Sequence, residues 1–155
     1  MIDPLVRLAV PDDAVVLELL EREARAALVD ARGGRRWLEE HPEIGADWVI
    51  ATATRAVFVA VLPSPDGDLD TDVPVGYLVL DLGDTVAHVD QVFVTVQARQ
   101  LGFGDALLEL ASDVARKAGA ALLEGHALPG DRDTKNLYER ARITARLITV
   151  SARLD

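Results

Sequence analysis

One stretch of the chain has residue types and spacing suited to holding an anion: Arg99-Gln100-Leu101-Gly102-Phe103-Gly104. It follows a β-branched run at 86–95 and precedes a run in which Leu107, Leu108, Ala111, Val114 and Ala115 recur with helical period. A helix opening at such a loop presents unpaired N–H groups and about half a positive charge. The glycines let a ligand approach the backbone, and Arg99 adds a full charge. A pyrophosphate is the natural occupant. Gly-x-Gly before a helix also occurs simply to let a chain turn, so the surrounding elements have to decide.

Two nucleotide patterns are excluded at once. The dinucleotide fingerprint needs a third glycine where this chain has Leu107, and a preceding βαβ unit that is missing; the Walker pattern needs Gly-Lys-Ser/Thr, which is absent. The absence of cysteine excludes a disulfide framework, a thiolate nucleophile, an acyl-cysteine intermediate and any cysteine-based zinc site.

The positioning elements have to come from one domain. The 155 residues are 50% hydrophobic and 27% charged, enough for a single core spanning 1–155 and too few for two. The net charge of −10 argues against a nucleic-acid partner. Residues 1–98 carry 7 basic and 18 acidic side chains, net −11, whereas residues 99–155 are net +1. No run of eighteen uncharged apolar residues suggests a membrane span, and no leader is evident at Met1-Ile2-Asp3-Pro4, so a cytoplasmic location is the default expectation.

Alternation and turn residues predict strands at 5–10, 55–62, 75–80, 86–95, 120–124 and 143–152. The second, third and fourth, joined by short loops, form an antiparallel meander, and an acidic loop at 64–72 separates two of them. Helices are expected after Pro11-Asp12-Asp13, over 35–41, after Gly102, and over 133–141. In the first, Val16, Leu20, Ala24, Ala27 and Leu28 form the apolar face, and Glu18, Glu21, Arg22, Glu23 and Arg25 the solvated one. The stretch up to Thr54 has no clear period and reads as loop, with a weak strand or helix left open. On the fourth strand, period two puts His88, Asp90, Val92 and Val94 on one face.

In this element order the chain resembles the GNAT superfamily of acyl-CoA-dependent N-acyltransferases. The resemblance rests on the Arg/Gln-x-x-Gly-x-Gly/Ala signature at Arg99 to Gly104, five residues after Val92-Phe93-Val94, and covers nearly the whole chain. A second family segment looks like Asp131-Arg132-Asp133-Thr134-Lys135-Asn136-Leu137-Tyr138-Glu139 followed by Arg142-Ile143. Leu137 and Tyr138 match it. Asp131 replaces the usual Asn, Thr134 the usual Ala and Arg142-Ile143 the usual Gly-Phe, while Val96 stands where proline is frequent.

The resemblance implies an α/β (α+β) fold with a mixed, mostly antiparallel sheet of six to seven strands and about four helices. It implies that the fourth and fifth strands splay and take pantetheine against the backbone of Val92 and Val94. The pyrophosphate of acetyl-CoA would then lie on Arg99, Gln100, Leu101, Gly102, Phe103 and Gly104, with Asp131 nearby. It further implies direct attack by a primary amine, with Tyr138 as general acid and His88 or Asp90 as base. Unperturbed imidazole titrates near neutrality, whereas a carboxylate has to be raised by burial or act by attracting a cationic amine. The charge split fits a cationic acceptor meeting a polyanionic cosubstrate.

Another reading stays open, a catalytically silent acyl-CoA-binding sensor or interaction module of the same fold, and the resemblance also implies that a homodimer paired through the last strands is an option. No ligand spacing joins His41 and His126, so no metal is expected. Trp37 and Trp48 either shape an acceptor pocket or fill the core.

Overall fold

Every side chain from Val57 to Val61 is buried, although alternate residues of a strand point to opposite faces, so the strand they form must be covered on both sides. The computed structural model describes residues 4–64, 66 and 72–155 and has that architecture. Five strands, β1 (Leu5–Leu8), β2 (Ala56–Leu62), β3 (Val73–Leu82), β4 (Val86–Val94) and β5 (Leu122–Glu124), lie side by side in chain order. The first four pair antiparallel, and β5 runs parallel to β4. Helices α1 (Ala14–Leu28), α2 (Gly34–Glu40) and α3 (Trp48–Thr54) precede β2. Helix α4 (Phe103–Lys117) connects β4 to β5, and α5 (Arg132–Arg140) follows.

Two apolar layers result. Phe58, Leu78, Leu80, Leu107, Leu108 and Tyr138 belong to the layer under α4 and α5, and Leu17, Leu20, Trp48, Val59, Tyr77 and Val79 to the layer under α1 and α3. Each fully buried Leu or Phe contributes about 1.5–3 kcal/mol.

Several expectations are corrected. Residues 143–152 form no strand, so the sheet has five strands where six to seven were expected. Leu147, Ile148 and Val150 are exposed, and the segment is held beside the fold by Arg146 on Glu124 at 3.4 Å and Arg36 on Ser151 at 3.0 Å. β-Branched composition favours extended backbone, but a strand also needs a paired edge. The unassigned stretch before Thr54 contains α3, which is anchored by buried Trp48. The acidic loop at 64–72 falls largely outside the described residues, as do Met1, Ile2 and Asp3 of the N-terminus.

Candidate active site

The pairing of β3 with β4 slips between Val79 and Leu80: Leu80 faces Val89 and Val79 faces Gln91, so Asp90 is the extra residue of a β-bulge. This slip breaks the uniform alternation expected along β4. Val92 and Val94 join Ala87 and Val89 on the α4 face, whereas His88, opposite Asp81, lies on the other face with Gln91 and Phe93. His88 and Asp90 therefore do not share a face with Val92 and Val94.

β4 is also where the sheet opens. Its pairing with β5 ends at His88 opposite Glu124, while β4 continues to Val94. The amide of Thr95 donates to the carbonyl of Val75 on β3 at 2.8 Å. By alternation the backbone groups of Val92 and Val94 point away from β3, into the gap beyond β5. Among the described residues that edge has no strand partner beyond His88, and, apart from the Val94 carbonyl, which accepts from Arg99 Nε, its groups are open to an extended amide-bearing ligand adding as a strand.

The signature loop closes one end of this gap. A short 3-10 turn, Val96–Ala98, leads to Arg99, then to Gln100 and Gly102 with φ of 65° and 87°. A left-handed backbone is ordinary for glycine and uncommon for glutamine. The two conformations curl the chain so that, among the described residues, the six amides from Gln100 to Asp105 have no intramolecular acceptor. Such a run at the start of a 15-residue helix forms a cradle for a polyanion.

Arg99 itself is engaged within the protein. Its Nε donates to the carbonyl of Val94 at 3.0 Å, its Nη1 pairs with Asp133, and its guanidinium sits over the Phe93 ring. It ties the loop to the end of β4 and to α5. Asp131 is likewise occupied: its carboxylate caps α5 by accepting from the amide of Thr134 at 3.2 Å and its hydroxyl at 2.7 Å.

Tyr138, on α5, is 8% exposed and lies against Gly125, just past β5. Burial, aided by the negative charge of Asp131, pushes its phenol above the ordinary tyrosine value, so the proton stays on oxygen. Gly104 permits the close approach of α5, since a Cβ there would come within 3.0 Å of Leu137.

On the opposite face, the three histidines of the chain converge. His88 Nε2 lies 3.2 Å from His126 Nδ1. The His126 ring packs 4.4 Å from Trp37, which stacks on His41 at 3.4 Å. Burial, then the proximity of His88, lowers the pKa of His126; Asp90 opposes and His41 adds to the effect. Asp90 accepts from Arg55 at 3.0 Å, and the same guanidinium binds Asp81 at 2.8 Å. Sequence spacing offers no sign of the histidine cluster, because it forms only when the loop after β5 meets the end of α2. Trp37 is half-buried beside that cluster, whereas Trp48 is core.

The sequence pattern also misplaces Glu21. It is 1% exposed, and its carboxylate accepts from the amides of Ile44 (3.0 Å) and Gly45 (2.9 Å), from Trp48 Nε1 (3.1 Å) and from Gln91 Nε2 (3.1 Å). Tyr77 donates to the Gln91 oxygen at 2.7 Å. This network fixes α1 and the chain before α3 against the bulged part of β4.

An open strand edge thus leads into an amide cradle, an arrangement able to take an extended polyanionic ligand. The profile of the Acetyltransferase (GNAT) family matches residues 17–142, and the chain belongs to that family of acyl-CoA-dependent N-acetyltransferases. Solved structures agree on the fold. A tetramutant of the BH1408 protein from Bacillus halodurans is 16% identical, with a TM-score of 0.77 over 97% of this chain and 99% of that one. The aminoglycoside N-acetyltransferase AAC(6')-Iy in complex with CoA is 15% identical, with a TM-score of 0.70 over 97% and 94%. The ribosomal-protein-alanine N-acetyltransferase of Brucella melitensis biovar Abortus 2308 is 19% identical, with a TM-score of 0.67 over 99% and 100%. No curated protein matches the chain in sequence. Among the described residues, no helix is long and apolar enough to cross a membrane, and no group of three or more acidic or histidine side chains is arranged to hold a metal.

Proposed function

We propose that the chain transfers an acetyl group from acetyl-CoA to a primary amine, carried by a cationic small molecule or by a protein, through direct attack on the thioester. The observation carrying this reading is the continuity of the open β4 edge at Val92 and Val94 with six free amides at the head of α4. The amides hold the pyrophosphate, and the strand edge pairs with pantetheine. Acetyl-CoA, when bound, supplies the activated acyl carbon and the sulfur leaving group.

The protein's own groups handle the protons. His88 takes the proton of the incoming ammonium, because among the described residues its ring has one hydrogen-bond partner, His126, whereas the Asp90 carboxylate is tied to Arg55. Asp90 and Asp81 supply negative charge that favours a cationic acceptor, in keeping with the acidic first part of the chain. Tyr138 gives its proton to the departing thiolate, a role suited to a phenol held protonated.

Calorimetry with acetyl-CoA, with desulfo-CoA and ATP as controls, tests the cosubstrate. Saturable micromolar binding supports the reading, and thiol release in an amine screen supports catalysis. Acetyl-CoA binding without thiol release against any amine would favour a silent acyl-CoA-binding module, and no binding would remove the site altogether.

A further inference from the structure

We propose that His126 is a positioning residue for the acyl transfer: it fixes the tautomer of His88 and passes the amine's proton on to solvent. The inference rests on the reading of His88 as base. The two rings are 3.2 Å apart through His88 Nε2 and His126 Nδ1, with centroids 5.3 Å apart and planes inclined by 29°. Among the described residues, neither His88 Nδ1 nor His126 Nε2 has a protein partner. One imidazole must donate and the other accept. When His88 Nε2–H donates to His126 Nδ1, the lone pair of His88 Nδ1 is left to receive a proton; the opposite arrangement places the resting proton on Nδ1 and leaves no base.

The proton balance closes without another reactant. The ammonium gives a proton to His88 Nδ1, and the Nε2 proton of His88 moves to His126 Nδ1. His126, now an imidazolium, releases its Nε2 proton to water. His88 is then neutral with its proton on Nδ1, and reversal of both tautomers restores the start.

The geometry favours His126 as the transient rather than the resting carrier. It is half-buried against the Trp37 indole and faces His88 and Asp90 of β4 and His41 at the end of α2. Asp90 is bound by Arg55, which also holds Asp81, and Glu124, bound by Arg146, stands opposite His88 in the sheet. Two cations on the pair would repel each other, so a single proton crosses it at a time.

Nitrogen-15 NMR of the histidine rings in the full chain is the first test. The expected result is His88 held with its proton on Nε2, converting to mixed tautomers in His126→Phe and keeping its tautomer in His126→Asn, whose amide oxygen replaces Nδ1 as acceptor. His88 carrying its proton on Nδ1, or titrating independently of His126, overturns the proposal. With an amine returned by the thiol-release screen, His126→Phe should lower kcat/KM about 10- to 100-fold and move the acidic limb of its pH profile. His126→Asn should restore the tautomer and recover only part of the rate, because its amide oxygen accepts the hydrogen bond but cannot take up the proton and pass it on. A drop with an unmoved pH profile overturns the relay, and failure of every amine in the screen counts against the transferase reading alone.

Discussion

The phenol oxygen of Tyr138 lies 2.3 Å from the point where a Cβ on Gly125 would stand. Gly125 stands between Tyr138 and the histidine pair, the groups proposed to handle protons. Tyr138 packs against its Cα from the α5 side, and the next residue, His126, reaches His88 on the other face. The missing side chain makes the socket in which the phenol is seated, and the ring carbon Cζ would meet the same Cβ at 2.7 Å.

Gly125→Ala should therefore act on the acid rather than on the cosubstrate. Overpacking of this kind costs about 1–3 kcal/mol. Thermal unfolding should shift down accordingly, and kcat should fall with little change in the affinity for acetyl-CoA. An alanine variant with native kcat would show that the phenol does not need this seat.

Tyr138→Phe removes the proton and keeps the ring. Burial holds the phenol protonated throughout the neutral range, so the hydroxyl is available as a donor at every working pH. Loss of a positioned general acid lowers the rate about 10²- to 10⁴-fold. Acetyl-CoA binding measured by calorimetry should be unchanged.

Gly102 should fail differently. Its φ of 87°, and a Pro4 side chain 3.1 Å from the point a Cβ would occupy, make any side chain costly there. Gly102→Glu adds a negative charge within the amide cradle as well. The dissociation constant for acetyl-CoA should rise at least about tenfold, equal to 1.4 kcal/mol. Unchanged affinity would remove residues 99–104 as the pyrophosphate site.

These two parts of the site are legible in the sequence to different degrees. Gly102, Gly104 and the period of α4 mark the cradle because all of its determinants are local. Tyr138 is reached through the resemblance of its segment to a family motif. The face of His88 is misread from the sequence, since a period-two pattern assumes an unbroken pleat and the bulge at Asp90 is a register property shared with β3. The meeting of His88, His126, Trp37 and His41 joins residues far apart in the chain and leaves no mark in spacing. Glu21 looks solvated for a similar reason: its four donors come from other segments.

Glu21→Ala tests that hidden network. It strands two backbone amides, the Trp48 indole and the Gln91 amide, so unfolding in urea should show a loss of about 2–4 kcal/mol. Glu21→Gln retains one acceptor oxygen and should fall between the alanine variant and wild type. A cost within about 0.5 kcal/mol of zero, the usual range for surface positions, would mean that water replaces the carboxylate.

The pH dependence of stability isolates His126. Burial first, then His88, lowers its pKa in the folded chain, and His41 adds to this while Asp90 opposes it. Between that lowered value and the ordinary histidine value of about 6.5, the unfolded chain binds more protons than the folded one. Stability must therefore rise with pH through this window and be lost as pH falls below about 6.5, with a limiting slope of about 1.4 kcal/mol per pH unit for one proton. Asp13 acts in a separate window. Burial opposes its ionisation, but hydrogen bonds from Arg7 and the Val10 amide, with the charge of Arg7, outweigh burial and hold its carboxyl low. Its contribution is present above the usual carboxylate value and is lost only at more acid pH. Urea unfolding of wild type and His126→Asn at pH 5.5 and 7.5 should thus show the wild type losing more stability on acidification. Parallel losses would mean that His126 is as free to protonate in the folded chain as in the unfolded one.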